Sequence, residues 1–391
     1  MKCAAMKFPC LFLIVSGSLL AQTVTPADPL AETFFYITGV TGNQTETVID
    51  SGTFSLPGYL TAGPTQTSPV STGSVTYSYA ATSPAVAPFY NQFPNGAVMY
   101  SPHLTTVQPV APSDLQMMFL DGAGSSSLVT LDLTQSGIIS QVVVPNVSGP
   151  FGIRPSATGP PNEVWVANGG TEVSVVDLGA QTLANILTPS IPQAVASVGI
   201  VFANSGATAL YAVGYYSPDS AGNNGALLVF DAASRTLTST LPLKYTPAAL
   251  VASPDGLTAY VLSSGGMITY YDVLSGTADL SVSTYAAGMS GGYPGTGTPV
   301  FIHPDGTRLF WNINYLLNVF DLTTRQVTHQ FTSGLPSTAG PAMRMSQDGG
   351  RVYFLDREGD VVVLDTQNGN ILATFNIGAA TWFFGGPPVA P

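Results

Sequence analysis

The sequence predicts an all-β fold, a seven-bladed β-propeller of four-stranded antiparallel blades. Three observations predict it. A short apolar pattern ending in Asp recurs at a period in the forties to fifties. Apolar β-forming runs alternate with Gly, Pro, Ser, Thr and Asn punctuation. The composition has too little charge and too much apolar character for disorder: 8% charged and 45% hydrophobic, with 41 Gly and 31 Pro among 391 residues.

The pattern is four mostly apolar or β-forming residues and then Asp. It reads LVTLD at 128–132, VSVVD at 173–177, LLVFD at 227–231, ITYYD at 268–272, LNVFD at 317–321 and VVVLD at 361–365. A degenerate earlier copy is ETVID at 46–50. Upstream of each clear copy from the second onward lies another apolar run: VWVA at 164–167, LYAV at 210–213, AYVL at 259–262, LFW at 309–311 and VYFL at 352–355. Ahead of several runs stands a turn signal: PDG at 254–256, PDG at 304–306 and QDG at 347–349. Glycine there takes positive φ without steric cost, which closes a hairpin. One unit is therefore four strands, a to d, with the PDG turn joining a to b. The repeat Asp ends c, and its carboxylate is expected to accept a backbone N–H two residues on. The aspartates are turn formers, not a row of catalytic acids.

The strand VWVAN at 164–168 followed by VSVVD at 173–177 resembles the YVTN family of β-propeller repeats, a WD40-like architecture. The SPDG turn at 253–256 is similar to that family's inter-strand turn. The resemblance spans 104–377 and, more faintly, 34–54. It implies the fold; members of the family bind, scaffold or catalyse, so it leaves function open.

Six clear copies and the one at Asp50 make seven blades. The double-length gap between Asp50 and Asp132 leaves room for an eighth, but 57–103 lacks the strand-Asp signature and is expected to be a long insertion. Thr381 to Phe384 are expected to supply a strand that closes the first blade and removes the open ends of the ring.

The N-terminal end reads as a secretory signal, 1–21. Lys2 and Lys7 precede an apolar stretch at 11–20, and Ala21 is a plausible residue before the cut. That stretch is short for a membrane span, so no integral span is expected after its removal. Residues 22–391 then form a single domain, exported to the periplasm or beyond. Cys3 and Cys10 both lie in the signal, leaving the mature chain without thiol or disulfide chemistry. All 22 acidic residues follow Ala21, whereas Lys and Arg reappear only at Arg154. Such acidity disfavours nucleic acid and anionic lipid. A ring with closed edges is expected to stay monomeric.

Antiparallel alternation puts a–b and c–d turns on one face and b–c and d–a loops on the other. The long irregular segments 57–103, 214–225 and 286–299 fall on the second face. Function concentrates on loops held by a rigid scaffold. The rings on those segments, Phe89, Tyr90, Tyr215, Tyr216 and Tyr293, are the candidate binding residues for a protein or carbohydrate partner. Packing of the same rings onto the propeller rim is the competing explanation. No catalytic, cofactor or metal residues are assigned: His103, His303 and His329 lack zinc spacing, and no nucleophile elbow or phosphate loop is present. The expected function is a non-catalytic binding or scaffold propeller. The alternative is an exported propeller enzyme such as a lactone hydrolase, requiring ionisable groups with shifted pKa values at the channel mouth.

Overall fold

The computed structural model describes residues 32–41, 46–55, 59–62, 64–71, 74–75, 78–81, 104–109, 116–121, 127–132, 137–145, 147–154, 163–168, 172–191, 195–204, 206–264, 266–283, 300–313, 316–332, 342–346, 348–355 and 360–376. Among them regular structure is all strand.

Six consecutive four-stranded antiparallel meanders follow one plan. The first holds β7 (Leu104–Pro109), β8 (Gln116–Asp121), β9 (Ser127–Asp132) and β10 (Gly137–Val143). The second holds β11 (Val147–Arg154), β12 (Glu163–Asn168), β13 (Val173–Asp177) and β14 (Thr182–Leu187). The third holds β15 (Val195–Ala203), β16 (Thr208–Tyr215), β17 (Gly225–Asp231) and β18 (Thr236–Leu243). The fourth holds β19 (Pro247–Ala252), β20 (Thr258–Ser263), β21 (Met267–Asp272) and β22 (Thr277–Ser283). The fifth holds β23 (Val300–Ile302), β24 (Arg308–Ile313), β25 (Leu316–Asp321) and β26 (Gln326–Thr332). The sixth holds β27 (Ala342–Met345), β28 (Arg351–Leu355), β29 (Asp360–Asp365) and β30 (Ile371–Asn376). Each third strand ends on its repeat Asp, as the pattern predicts.

The chain ahead of them forms a different sheet. It contains β1 (Glu32–Thr41), β2 (Glu46–Ser55), β3 (Tyr59–Ala62), β4 (Pro64–Ser71), β5 (Ser74–Val75) and β6 (Ser78–Ala81). Two expectations change here. Asp50 does not end a strand: β2 continues to Ser55, and Asp50 lies opposite Tyr36 within the ladder. The stretch 59–81, expected to be irregular, carries strands, with β3 and β4 both pairing to β2. Thr and Ser alternation there supports a ladder without the apolar-Asp signature. The proposed closing segment 381–384 lies outside the described residues.

Burial explains why the apolar pattern differs along each unit. The second and third strands are covered on both faces by neighbouring sheets, so they read as near-continuous apolar runs; every residue of β12 is buried. The fourth strand lies outermost, and β18 is exposed along most of its length despite its threonine-rich β propensity. First strands of successive sheets adjoin one another, from β7 to β11, β15, β19 and β23. That convergence on a common axis is the propeller arrangement.

The cores lie between sheets. Trp165, Val173 and Val175 of the second sheet pack with Tyr211, Leu228 and Phe230 of the third. On the other face of the third sheet, Leu210, Leu227 and Val229 meet Val261 and Tyr271 of the fourth. Adjacent positions on one strand therefore serve different interfaces, which is the period of two put to use. Trp165 meets Phe230 edge-on, centroids 5.4 Å apart at 77°. The converging inner strands need small residues: a Cβ on Gly152 would lie 2.8 Å from the Ile200 carbonyl oxygen. A register shift recurs between third and fourth strands in all six units, at Ile138/Ser140, Val175/Val176, Val229/Phe230, Ile268/Tyr270, Val319/Phe320 and Val363/Leu364. Such bulges add local twist, which a blade needs.

Candidate functional site

The repeat aspartates lie on the turn face and shape its turns. Asp231 Oδ1 accepts the Ser234 N–H at 2.7 Å, and Asp272 Oδ1 accepts the Ser275 N–H at 2.8 Å. Asp321 Oδ1 takes Thr323 and Thr324 N–H groups at 2.9 and 2.6 Å, and Asp365 Oδ1 takes Gln367 N–H at 2.7 Å. Asp177 accepts Ala180 N–H at 2.8 Å. The acceptor role is as expected, but the donor is three residues on in Asp177, Asp231 and Asp272. The fifth turn position is left-handed in the second to sixth units: Gln181, Arg235, Gly276, Arg325 and Gly369 all have positive φ.

The a–b turns have their own aspartates. Ser253 donates to Asp255 Oδ1 at 2.5 Å, and Ser346 to Asp348 Oδ1 at 2.6 Å. His303 occupies the serine position in the fifth unit, its Nδ1 2.8 Å from Asp305 Oδ1. His303 is thus a turn residue, as the sequence suggested. His329 lies in β26, stacked on Phe331 at 5.5 Å. These turns interlock around the axis: Asn204 N–H donates to the Gly256 carbonyl at 2.8 Å, and Gly306 lies against Pro254.

The electrostatics match this role. Hydrogen bonds from Ser234, backbone then hydroxyl, hold the Asp231 carboxyl below the ordinary carboxylate range. Ser275 does the same for Asp272, and Thr324 for Asp321. Asp255 is lowered by Ser253 and the Leu257 N–H. At Asp305 burial pushes upward, but Thr307 and His303 outweigh it. Among the described residues no three His, Cys, Asp or Glu side chains gather closely enough to hold a metal ion.

A third group of charges ties the second sheet to the third. Glu163 is 6% exposed. It accepts the Trp165 indole N–H and lies 3.2 Å from Arg235 and 3.5 Å from Arg154. Arg154 also donates to the Gly206 and Ala232 carbonyls, both at 3.0 Å. Sequence inspection missed this cluster, because Arg235 and the carbonyls that hold Arg154 come from the next unit, with Arg235 72 residues from Glu163. The available signal was register: Glu163 faces the repeat Asp177, where the third and fourth units place Thr208 and Thr258.

The opposite face carries the b–c loop 216–224. Asp219 organises it, accepting N–H groups of Ala221 and Asn223 at 2.8 Å each and the Asn223 side-chain amide at 2.9 Å. Those bonds, the Asn223 side chain first, lower the Asp219 pKa. Asn224 then donates its side-chain amide to the Lys244 carbonyl at 2.7 Å and its backbone N–H to Leu243 at 2.9 Å. Thr246 accepts the Ser264 N–H at 2.8 Å. The loop 216–224, the d–a connection 244–246 and the next unit's b–c turn are thereby joined into one rim.

The end of β16 separates the two tyrosines at the rim, with Tyr215 its last residue and Tyr216 the first of the loop. Tyr215 turns inward, packs against the core between the second and third sheets, and has its pKa raised by burial and then by Asp219. Tyr216 turns outward and is 74% exposed. Packing accounts for Tyr215, and presentation for Tyr216. The same rim exposes Lys244 and Tyr245, which sequence inspection passed over because their connection is short. Phe89, Tyr90 and Tyr293 lie outside the described residues. A separate hollow of about 300 Å³ opens between the third and fourth units on the turn face, lined in part by Asp231, Ser239, Tyr271 and Leu274.

No family model matches the chain, and no curated protein matches it. Among solved structures it is similar to Kuenenia stuttgartiensis hydrazine synthase, with TM-score 0.50 and 16% identity over 69% of this chain and 80% of that one. At that identity the likeness concerns the fold alone.

Proposed function

We propose that this chain is an exported, non-catalytic β-propeller that binds a protein or carbohydrate partner through the rim formed by loops 216–224 and 244–246. One observation carries the proposal. The rim is held rigid by side-chain and backbone hydrogen bonds, yet it turns Tyr216 out to water at 74% exposure. An ordered tyrosine supplies contact area at little entropic cost. On the other face, the shifted carboxylates are shifted downward by turn hydrogen bonds. General acid–base work instead favours a pKa raised toward neutrality. That contrast supports binding over lactone hydrolysis.

The wider proposal follows the sequence. The first sheet serves as the seventh blade, the chain is a YVTN-type repeat protein, and residues 1–21 direct export before removal. The ring functions as a monomer without a cofactor. The partner is neither nucleic acid nor membrane.

The test replaces 217–223 with a short Gly-Ser turn and compares binding of protein partners and glycans with the parent. Trimming 57–103 is the poorer experiment, because it removes β3 to β6. Loss of binding with an unchanged melting curve supports the proposal. Unchanged binding, or turnover of a lactone by the parent, refutes it.

A further inference from the structure

We propose that Asn368 is a site of spontaneous deamidation to isoaspartate, positioned by its own turn, and that the modified turn loosens the contact between the fifth and sixth units. Asn368 is exposed in the connection from β29 to β30 and is followed by Gly369, which carries no side chain to shield its amide nitrogen. The Asn368 Oδ1 accepts the Asn370 N–H at 2.8 Å. The ring that this bond closes runs through the Gly369 nitrogen, so it folds the carboxamide back over the Asn368–Gly369 peptide.

The chemistry needs only water. The Gly369 amide loses its proton to solvent base, and its nitrogen attacks Asn368 Cγ. The new C–N bond forms as the Cγ–NH2 bond breaks, and the amine leaves as ammonia after taking a proton from water. Water then opens the cyclic imide. Attack at Cγ leaves aspartate; attack at the backbone carbonyl leaves isoaspartate, with the chain routed through Cβ. No group is oxidised or reduced. The Gly369 N–H donates to the Asp365 carbonyl at 2.9 Å, so this one turn bond must open first. Exposed turns open at low free-energy cost.

A second Asn-Gly pair in the described chain provides the contrast. Asn224 has its side-chain amide bound to the Lys244 carbonyl at 2.7 Å and its N–H bound to Leu243 at 2.9 Å. Gly225 is buried, and a Cβ there would stand 2.5 Å from both Pro247 Cδ and the Val213 carbonyl oxygen. Imide formation at Asn224 therefore requires a cross-sheet opening that Asn368 does not.

The consequence follows from what surrounds the turn. Asp365 Oδ1 already accepts N–H groups of Gln367 and Asn368, at 2.7 and 3.3 Å, so a second carboxylate enters beside a first. Isoaspartate also lengthens the backbone just before Gly369, and Gly369 lies so close to the Phe331 ring of the fifth unit that no Cβ fits between them.

The test ages the purified full chain in mildly alkaline buffer, then maps isoaspartate by enzymatic methyl labelling and peptide mass spectrometry. Label is expected at the Asn368 peptide about tenfold or more faster than at the Asn224 peptide, the factor that one additional buried hydrogen bond implies. Asn368→Ser retains an acceptor for the Asn370 N–H without a carboxamide and is expected to abolish that label. Equal labelling of the two peptides, or undiminished label in Asn368→Ser, overturns the site. Aged protein is expected to melt below Asn368→Asp, which adds the charge without the longer backbone; coincident melting overturns the proposed loosening.

Discussion

Replacing Glu163 with alanine removes the carboxylate shared by two sheets. The Trp165 indole N–H then loses its acceptor, and Arg154 and Arg235 lose their counter-charge. Breaking a buried pair from one side costs about 3–5 kcal/mol. The arginine side chains are 22% and 29% exposed, and Arg154 keeps its Gly206 and Ala232 carbonyls, which reduces the penalty. An orphaned buried donor such as the indole adds roughly 1–3 kcal/mol. The combined loss is about 3 kcal/mol, or roughly 4 °C in melting temperature for a cooperative domain of this length. Glu163→Gln keeps an acceptor for the indole and is expected to lose about half as much. The assay is thermal unfolding followed by near-ultraviolet circular dichroism, which reports the packed aromatic rings, Trp165 among them. Because the Glu163 side chain is only 8% exposed, molar salt is expected to leave the difference largely intact. A Glu163→Ala melt within about 1 °C of the parent would show that the cluster is not a structural tie.

The turn glycines offer a second test. Gly256→Ala puts a Cβ 2.8 Å from the Asn204 nitrogen at φ 67°, and is expected to destabilise by more than the ~1 kcal/mol of left-handed strain alone; chemical denaturation reads the loss. Acid stability follows from Asp231, Asp272 and Asp321, whose folded pKa values lie below the unfolded ones. Their contribution is present above the unfolded value of about 3.9 and is lost as pH falls through the folded values, so melting temperature is expected to drop below about pH 4. Asparagine at all three positions should flatten that drop, as pH-dependent melts can show. At the alkaline end Tyr211 is pushed up to about 12 by burial, against its bond to Ser197. Its contribution is present below the unfolded value of about 10 and is lost as pH rises toward the folded one, so ultraviolet titration should detect its ionisation only with unfolding.

The six regular units were legible in sequence because each one states its own limits. The repeat Asp marks the end of the third strand, and the following turn uses that carboxylate whatever the rest of the chain does. The apolar second and third strands announce burial on both faces. The first sheet was harder. Asp50 has the right local string, but β2 runs through it, since pairing with β1 continues past that residue and β3 pairs with β2 from Gly52 to Ser55. The site was legible only by half. Tyr215 and Tyr216 stand out in sequence as a pair, and the end of β16 between them leaves one packed inward and the other out in the loop. Tyr245 and the Glu163 cluster depend on which connections and sheets meet across the ring, and no short window of sequence contains that.

Binding of the labelled mature chain to a glycan panel and to immobilised exported proteins, measured beside Tyr216→Ala, tests the proposed function most directly. The proposal predicts a saturable signal for the parent and a loss of about tenfold or more in the variant, as expected for an exposed aromatic anchor. Equal binding by both proteins would contradict it, because the rim would then contribute nothing to recognition.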